Sequence, residues 1–199
     1  MPLFTRAKNI LLSPKTEWNV ILTETETPQS LLFKYVIPMA LIPALAFFIG
    51  YGLIGIDAIV LRISGIRWGV VMAVNSFIAS ILTYYICTYV IDALAPSFSS
   101  EKNIGRSAQL VAYSYTAAWV AGIFNIIPSL SILGVLGLYS IYLFYLGIPP
   151  MKKTPEDKRI SYMLVSALVI IVVGLVVNMV VSRIMYTFMG NPFVPVMNP

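Results

Sequence analysis

The sequence predicts an all-α fold, a polytopic membrane protein built as a bundle of five transmembrane helices, and three observations predict it. The chain of 199 residues is 59% hydrophobic and only 11% charged, whereas soluble domains carry about 25% charged residues. Long stretches contain no Asp, Glu, Lys or Arg. The Lys and Arg residues between these stretches are concentrated on alternate loops, which is the pattern of cytoplasmic segments.

Four charge-free stretches define the spans, at 35–56, 68–91, 107–151 and 160–182. Three of them have 22, 24 and 23 residues, and about 20 residues cross a hydrocarbon core. The third has 45 residues, which is too long for one span, and the turn-forming sequence NIIPSLS divides it. A transmembrane domain is therefore predicted over 32–188, with spans at about 33–55, 68–92, 108–126, 131–148 and 160–184.

The distribution of positive charge orients these spans. With five spans and the N-terminus inside, ten Lys and Arg residues fall in cytoplasmic segments and three fall outside. If 107–151 crossed only once, the count would be seven against six, which gives no orientation. The sequence thus predicts a cytoplasmic N-terminus, an outer C-terminus and a short outward tail over 189–199.

A cytoplasmic or interfacial arm is predicted over residues 1–31. It contains two helix-like pieces, LFTRAKNILL and SPKTEWNVIL, and in the second Ser13 and Pro14 are typical of a helix start. We expect both pieces to lie in the plane of the membrane interface, with Trp18 as an anchor at headgroup level. The alternative is an ordinary polar lead-in to the first span.

The residue types present exclude much chemistry. The chain has no histidine and a single cysteine, Cys87, so His-ligated metals, Ser/His proteolysis and His-box oxidation are excluded. The three aspartates lie at span ends or in loops, and there is no Gly-rich phosphate loop. The net charge of +5 forms no basic patch interleaved with aromatics, which argues against nucleic acid. We therefore predict a non-enzymatic protein without a cofactor or metal.

Polar and small residues inside the spans support two interpretations. As a packing surface, small residues recur every four positions and let helices approach closely; this candidate seam comprises Ser114, Ala118, Gly122, Gly174 and Ser182. As a functional site, the polar side chains line a cavity, whose candidates are Asn75, Gln109, Tyr113, Asn125 and Asn178. Charged residues within spans mark proton and ion pathways, and none is central here, so the cavity suits a passive conduit rather than a coupled pump.

The segment KKTPEDKRIS at 152–161 is a further candidate surface. Its cations are Lys152, Lys153, Lys158 and Arg159. Such a basic cytoplasmic loop either binds anionic lipid or a partner protein, or is a solvated loop whose charges set the topology.

Several segments together resemble a known family. They are the N-terminal LLSPKTEW, FSSEKNIGRSAQLVAYSYTAAW entering the third span, IIPSLSILGVLGLYSIYLFYLGI after it, and the basic KKTPEDKR before the last span. Over about residues 8–188, the chain resembles a prokaryotic member of the Yip family of Rab/Ypt-interacting membrane proteins.

The resemblance implies five helices, a cytoplasmic N-terminus and a place in a prokaryotic plasma (inner) membrane. Eukaryotic relatives act in vesicle traffic and associate with Rab GTPases and with one another, which implies a membrane-organising or partner-binding scaffold that forms homo- or hetero-oligomers. Here the N-terminal region is short, the Gly-Tyr signature is matched only by Ala112–Tyr113–Ser114, and the Asp-Leu-x-Gly-Pro signature is missing. These departures argue against Rab binding. The alternative function is a small-solute or ion transporter or channel.

Overall fold

The computed structural model describes residues 2–58, 61–63 and 65–189. Within them the chain is a helical bundle, as predicted, with one short hairpin. The α-helices are α1 Leu3–Leu12, α2 Pro14–Leu22, α3 Pro28–Leu31, α4 Ile37–Phe47, α5 Ile66–Leu94, α6 Ile104–Ser114, α7 Thr116–Ala121, α8 Tyr139–Lys152 and α9 Glu156–Met189. The hairpin pairs β1 Ile56–Ala58 antiparallel with β2 Leu61–Ile63, so that Asp57 lies opposite Arg62.

Tighter and looser helical turns join several of these helices. The π-helical segments are Leu32–Val36 and Phe48–Ile54. The 3₁₀ segments are Ala95–Phe98, Gly122–Ile126 and Pro128–Leu138. The π turns flank α4, which contains Pro38 and Pro43. Because proline removes a backbone donor, a membrane helix adjusts its local winding to satisfy the freed carbonyls.

Four helical stretches among the described residues are long and apolar enough to cross a membrane. They are Pro28–Ile54, Ile66–Phe98, Pro128–Lys152 and Glu156–Thr187. Each coincides with one of the five predicted spans, which confirms a multi-pass helical membrane protein. The predicted tail, 189–199, lies outside the described residues except for Met189.

The predicted span 108–126 is helical but interrupted at Tyr115, between α6 and α7. The Thr116 hydroxyl donates a hydrogen bond to the Tyr113 carbonyl at 2.7 Å, and such local bonds compete with the helix ladder. Nearly every side chain of α6 from Ser107 to Ser114 is buried. This interrupted segment is therefore the centre of the bundle, surrounded by the longer helices.

The two predicted arm helices form, but they pack into the bundle. The Trp18 indole N–H donates to the Leu143 carbonyl of α8 at 3.1 Å, and the Tyr139 hydroxyl donates to the Leu11 carbonyl at 3.1 Å. Gly147 makes room for this contact, since a Cβ there would lie 2.6 Å from the Trp18 ring. The arm is therefore a packed part of the fold along α8.

Candidate functional site

The predicted polar-cavity residues do not gather in one cavity. The structure places them in three separate locations. Asn75 and Asn178 lie between α5 and α9, Gln109 and Tyr113 lie beneath the arm, and Asn125 lies at the end of the Gly122–Ile126 turn, where its side-chain amide donates to the Gly122 carbonyl at 2.9 Å.

The first location is a cleft between α5 and α9. The Ser182 hydroxyl donates to the Asn75 side-chain oxygen at 3.2 Å and lies 3.4 Å from that of Asn178. A cavity of about 350 Å³ opens beside these residues and is also lined by Gly174 and Tyr115. Asn75 is buried, whereas Asn178 is exposed. Of the five predicted cavity residues, Asn75 and Asn178 lie together here, and Ser182 lies between them.

The second location is a network that binds the arm to α6. Arg106 donates to the Leu22 carbonyl at 2.9 Å and to the Glu24 carbonyl at 3.1 Å. The Gln109 side chain donates to the same Glu24 carbonyl at 3.1 Å. These groups satisfy carbonyls at and just beyond the C-terminal end of α2, which have no partner within the helix. Gln109 is thus a buried structural residue.

A buried ion pair fixes α1 against α2. Arg6 contacts Glu17 at 2.5 Å and also pairs with Glu24. Glu17 accepts a further hydrogen bond from Asn9 at 3.1 Å. The Arg6 guanidinium lies 5.3 Å from the centre of the Tyr113 ring, a cation–π distance. The sequence offered little signal for this pair, because its partners are eleven residues apart on different helices.

A cavity of about 250 Å³, which we name the arm cavity, lies next to this ion pair. Its lining residues come from the arm, the start of the first span and α6: Leu3, Arg6, Glu24, Glu26, Leu31, Lys34, Tyr35 and Tyr113. Burial alone would raise the pKa of Glu26, but hydrogen bonds from Ser30 and Lys34 and the Lys34 charge lower it below its ordinary value. Glu26 is therefore ionised at neutral pH beside Lys34.

The interfacial role predicted for Trp18 is wrong. Its side chain is 1% exposed and lies within protein, with the Tyr113 ring edge-on at 6.4 Å. A buried indole needs a partner for its N–H, and the Leu143 carbonyl supplies one. Tertiary contacts with α6 and α8 therefore replace the expected contact with lipid headgroups.

The basic surface predicted at 152–161 is only partly present, because Lys152 and Arg159 make contacts within the fold. Lys152 is fully buried, and its ammonium contacts Asp92 at 2.9 Å and Ser107 at 2.7 Å. The Asp92 carboxylate also accepts from the Ser107 hydroxyl at 2.9 Å and from the Asn103 backbone N–H at 2.8 Å. This cluster ties together α5, α6 and α8, so Lys152 is structural and not part of a solvated loop.

Arg159 has a structural role as well. It lies over the Tyr145 ring, 3.9 Å from its centre, and donates to the Tyr145 carbonyl at 3.3 Å. Pro149, four residues further on, has no N–H for that carbonyl, so the guanidinium takes its place. Of the four predicted cations, Lys153 and Lys158 remain exposed, and Lys153 pairs with Glu101 at 2.7 Å.

The predicted packing seam is divided between inner and outer contacts. A Cβ on Gly122 would lie 2.5 Å from Pro43, and Ala118 packs against Gly137. Ser114 is buried near this contact between α7 and the Pro128–Leu138 segment, and it lines an apolar groove there. Gly174 differs, because no atom lies within 4 Å of where its Cβ would be. Ser114, Ala118 and Gly122 thus pack within the chain, whereas the seam on α9 is open at Gly174 and borders the cleft toward α5.

A close glycine contact escaped the sequence prediction. A Cβ on Gly69 of α5 would lie 2.5 Å from Cα of Gly52. A four-residue spacing of small residues within one helix does not indicate this contact, because the two glycines lie on different helical segments.

Comparison with known proteins gives one match. The family model described as the Yip1 domain matches residues 8–178. No curated protein and no solved structure matches the chain. In the described part of the chain, no group of three or more His, Cys, Asp or Glu side chains is arranged to hold a metal ion.

Proposed function

The chain belongs to the Yip1 domain family, and we propose on that basis that it is a non-enzymatic scaffold that organises partner helices within the membrane, including a second copy of itself. We place its N-terminus in the cytoplasm and its C-terminus outside, following the positive charge of the loops. The resemblance of its segments to prokaryotic family members supports a prokaryotic plasma membrane. The exposed Lys153 and Lys158 add attraction to anionic lipid in this orientation.

One observation carries this proposal: the open seam on α9. Gly174, Asn178 and Ser182 follow one another at four-residue spacing on one side of the helix. Gly174 has an empty space where its Cβ would be, and the side-chain oxygen of the exposed Asn178 accepts a hydrogen bond from Ser182 at 3.4 Å. Membrane helices associate through surfaces of this kind. The small residue lets the two backbones approach closely, and the side-chain amide forms a hydrogen bond to the neighbouring helix.

The packing of the arm argues against a Rab-type partner. Its two helices bury Arg6, Glu17 and Trp18 against each other and against α6 and α8. These three side chains are therefore not available to a soluble GTPase, although Lys8, Lys15 and Asn19 of the arm stay exposed. The partners that suit the exposed surface are membrane helices.

The assembly prediction concerns Gly174. Replacing it by Leu should weaken self-association at least tenfold, about 1.4 kcal/mol, because the side chain would fill the space that a second helix occupies. Self-association would be measured by energy transfer between labelled copies in liposomes at a series of protein-to-lipid ratios.

Gly134→Leu is the matched control, since Gly134 also has open space at its Cβ position but lies in the Pro128–Leu138 segment. Equal association of the two variants, or no association of the unmodified protein, would contradict the proposal. Gly122→Leu is unsuitable for this purpose. The new Leu side chain at position 122 would clash with Pro43 of the same chain, and this clash would disturb folding.

The cavity between α5 and α9 favours a second candidate function, passage of a small neutral solute. The cavity of about 350 Å³ is lined by Asn75, Asn178 and several hydroxyl groups. On this hypothesis, proteoliposomes should take up glycerol or urea faster than empty liposomes, and Asn75→Leu should slow uptake because it removes a buried polar group from the wall. Uptake equal to that of empty liposomes, with folded protein, would remove this candidate.

A further inference from the structure

We infer that the arm cavity binds a phosphate ester that carries a primary ammonium group, as in a phosphoethanolamine headgroup. The inference is independent of the proposed assembly, because the cavity lies beneath the arm and the open seam lies on α9.

The charged residues of the cavity favour a ligand that carries both a positive and a negative charge. Arg6 and Lys34 contribute two positive charges, and Glu24 and Glu26 contribute two negative ones. A simple anion would meet two carboxylates and a simple cation would meet two basic groups, each at the cost of like-charge repulsion. A zwitterion places its phosphate and its ammonium beside opposite charges and avoids both.

The cavity offers hydrogen-bond donors for the phosphate of such a ligand and an acceptor for its ammonium. Tyr113 is 4% exposed and lines the cavity, yet its hydroxyl makes no hydrogen bond with any residue that the structure describes. The hydroxyl is not one of the buried, unpartnered polar atoms among the described residues, so it is accessible from the cavity and has a free donor. The Tyr113 hydroxyl is therefore a donor for a phosphate oxygen.

Lys34 supplies the second phosphate contact. Its ammonium has three donors, and in the described structure it contacts only the Glu26 carboxylate, at 3.1 and 3.3 Å. Its side chain is 67% exposed, so it can turn toward the cavity. Arg6 is not available in this way, because Glu17 and Glu24 hold its guanidinium.

Glu24 accepts the ammonium end. One of its carboxylate oxygens pairs with Arg6, and the other has no partner among the described residues. A primary ammonium donates to this oxygen. A quaternary ammonium has no N–H and cannot, so the site distinguishes phosphoethanolamine from phosphocholine.

The position of the cavity matches a lipid source for this ligand. Lys34 is the last charged residue before the charge-free stretch 35–56, so it marks the level of the headgroups. Leu3 and Leu31 form the apolar part of the cavity wall, and the neighbouring Phe33 is 70% exposed. Acyl chains leaving the cavity would pass along this apolar surface.

Calorimetric titration of the full chain in maltoside detergent tests the inference. The probes are dihexanoyl-phosphatidylethanolamine, the matching phosphatidylglycerol and phosphatidylcholine, and soluble O-phosphoethanolamine. We expect the phosphatidylethanolamine to bind at least tenfold more tightly than the other two lipids. Soluble O-phosphoethanolamine binding equal to that of the lipid identifies a free metabolite as the source, and weaker binding identifies the lipid.

Tyr113→Phe isolates the unpartnered hydroxyl while leaving the ring contacts with Arg6 and Trp18 in place. It should weaken phosphatidylethanolamine binding about tenfold, because it removes one hydrogen bond to a charged oxygen. The matched control is Tyr89→Phe on an exposed face of α5, which should bind like the unmodified protein. Lys34→Gln should weaken binding as well, and it serves as a second test if Tyr113→Phe misfolds.

Two results would overturn the inference. One is equal affinity for phosphatidylglycerol and phosphatidylethanolamine, which would mean that no ammonium is recognised. The other is equal affinity in Tyr113→Phe and Tyr89→Phe with Lys34→Gln also unchanged, which would mean that the ligand does not enter the arm cavity.

Discussion

Replacement of Lys152 by Met should lower the free energy of unfolding by about 3–5 kcal/mol, the loss observed when one partner of a buried ion pair is removed. The ammonium of Lys152 is fully buried and contacts Asp92 and Ser107. Without it, the Asp92 carboxylate would remain buried at the junction of α5, α6 and α8 with only neutral donors. Unfolding in mixed micelles of maltoside and dodecyl sulfate, followed by circular dichroism, would measure the loss.

Lys153→Met provides the control for this substitution. Lys153 is the next residue and also pairs with a carboxylate, but both side chains of its pair are more than half exposed, and such pairs contribute about 0–1 kcal/mol. The double variant Asp92→Asn with Lys152→Met should recover part of the loss, because no unpaired charge remains. If Lys152→Met were no more destabilising than Lys153→Met, the buried cluster would not hold these helices together.

Gly69→Ala should destabilise the fold strongly, although it adds only a single methyl group. The added Cβ would lie 2.5 Å from Cα of Gly52 and 2.8 Å from the Phe48 carbonyl oxygen. Both are backbone atoms, so relief requires the first span and α5 to move apart. We expect the free energy of unfolding to fall by about 2 kcal/mol or more, as overpacking costs usually do, measured in the same mixed micelles.

Gly174→Ala is the helical control for that measurement. Its Cβ would meet no atom within 4 Å, and alanine favours a helix interior by about 1 kcal/mol relative to glycine. This variant should therefore be as stable as the unmodified protein or more stable. Equal stability of the Gly69 and Gly174 variants would mean that the close approach of the two helical segments does not constrain the fold.

Local patterns predicted the helices well and the roles of side chains poorly. The charge-free stretches located four membrane-crossing helices, and Ser13 with Pro14 correctly indicated the start of α2. Trp18 and Lys152 were misplaced, since an amphipathic edge and a basic run look alike whether the residue meets lipid, water or protein. Asn75 and Asn178 lie at the cleft between α5 and α9, whereas Gln109 and Asn125 bind backbone carbonyls elsewhere.

Composition and segment length were enough to identify a helical membrane protein and to locate its apolar segments. Burying uncharged segments about 20 residues long in a bilayer depends on composition and length, which are local properties. Only the tertiary structure decided that the arm packs against α8, that Arg6 meets Glu17 and Lys152 meets Asp92, and that the α9 seam stays open. Such pairings depend on which segments lie side by side, because a buried charge is stable only beside the particular opposite charge that the fold brings to it.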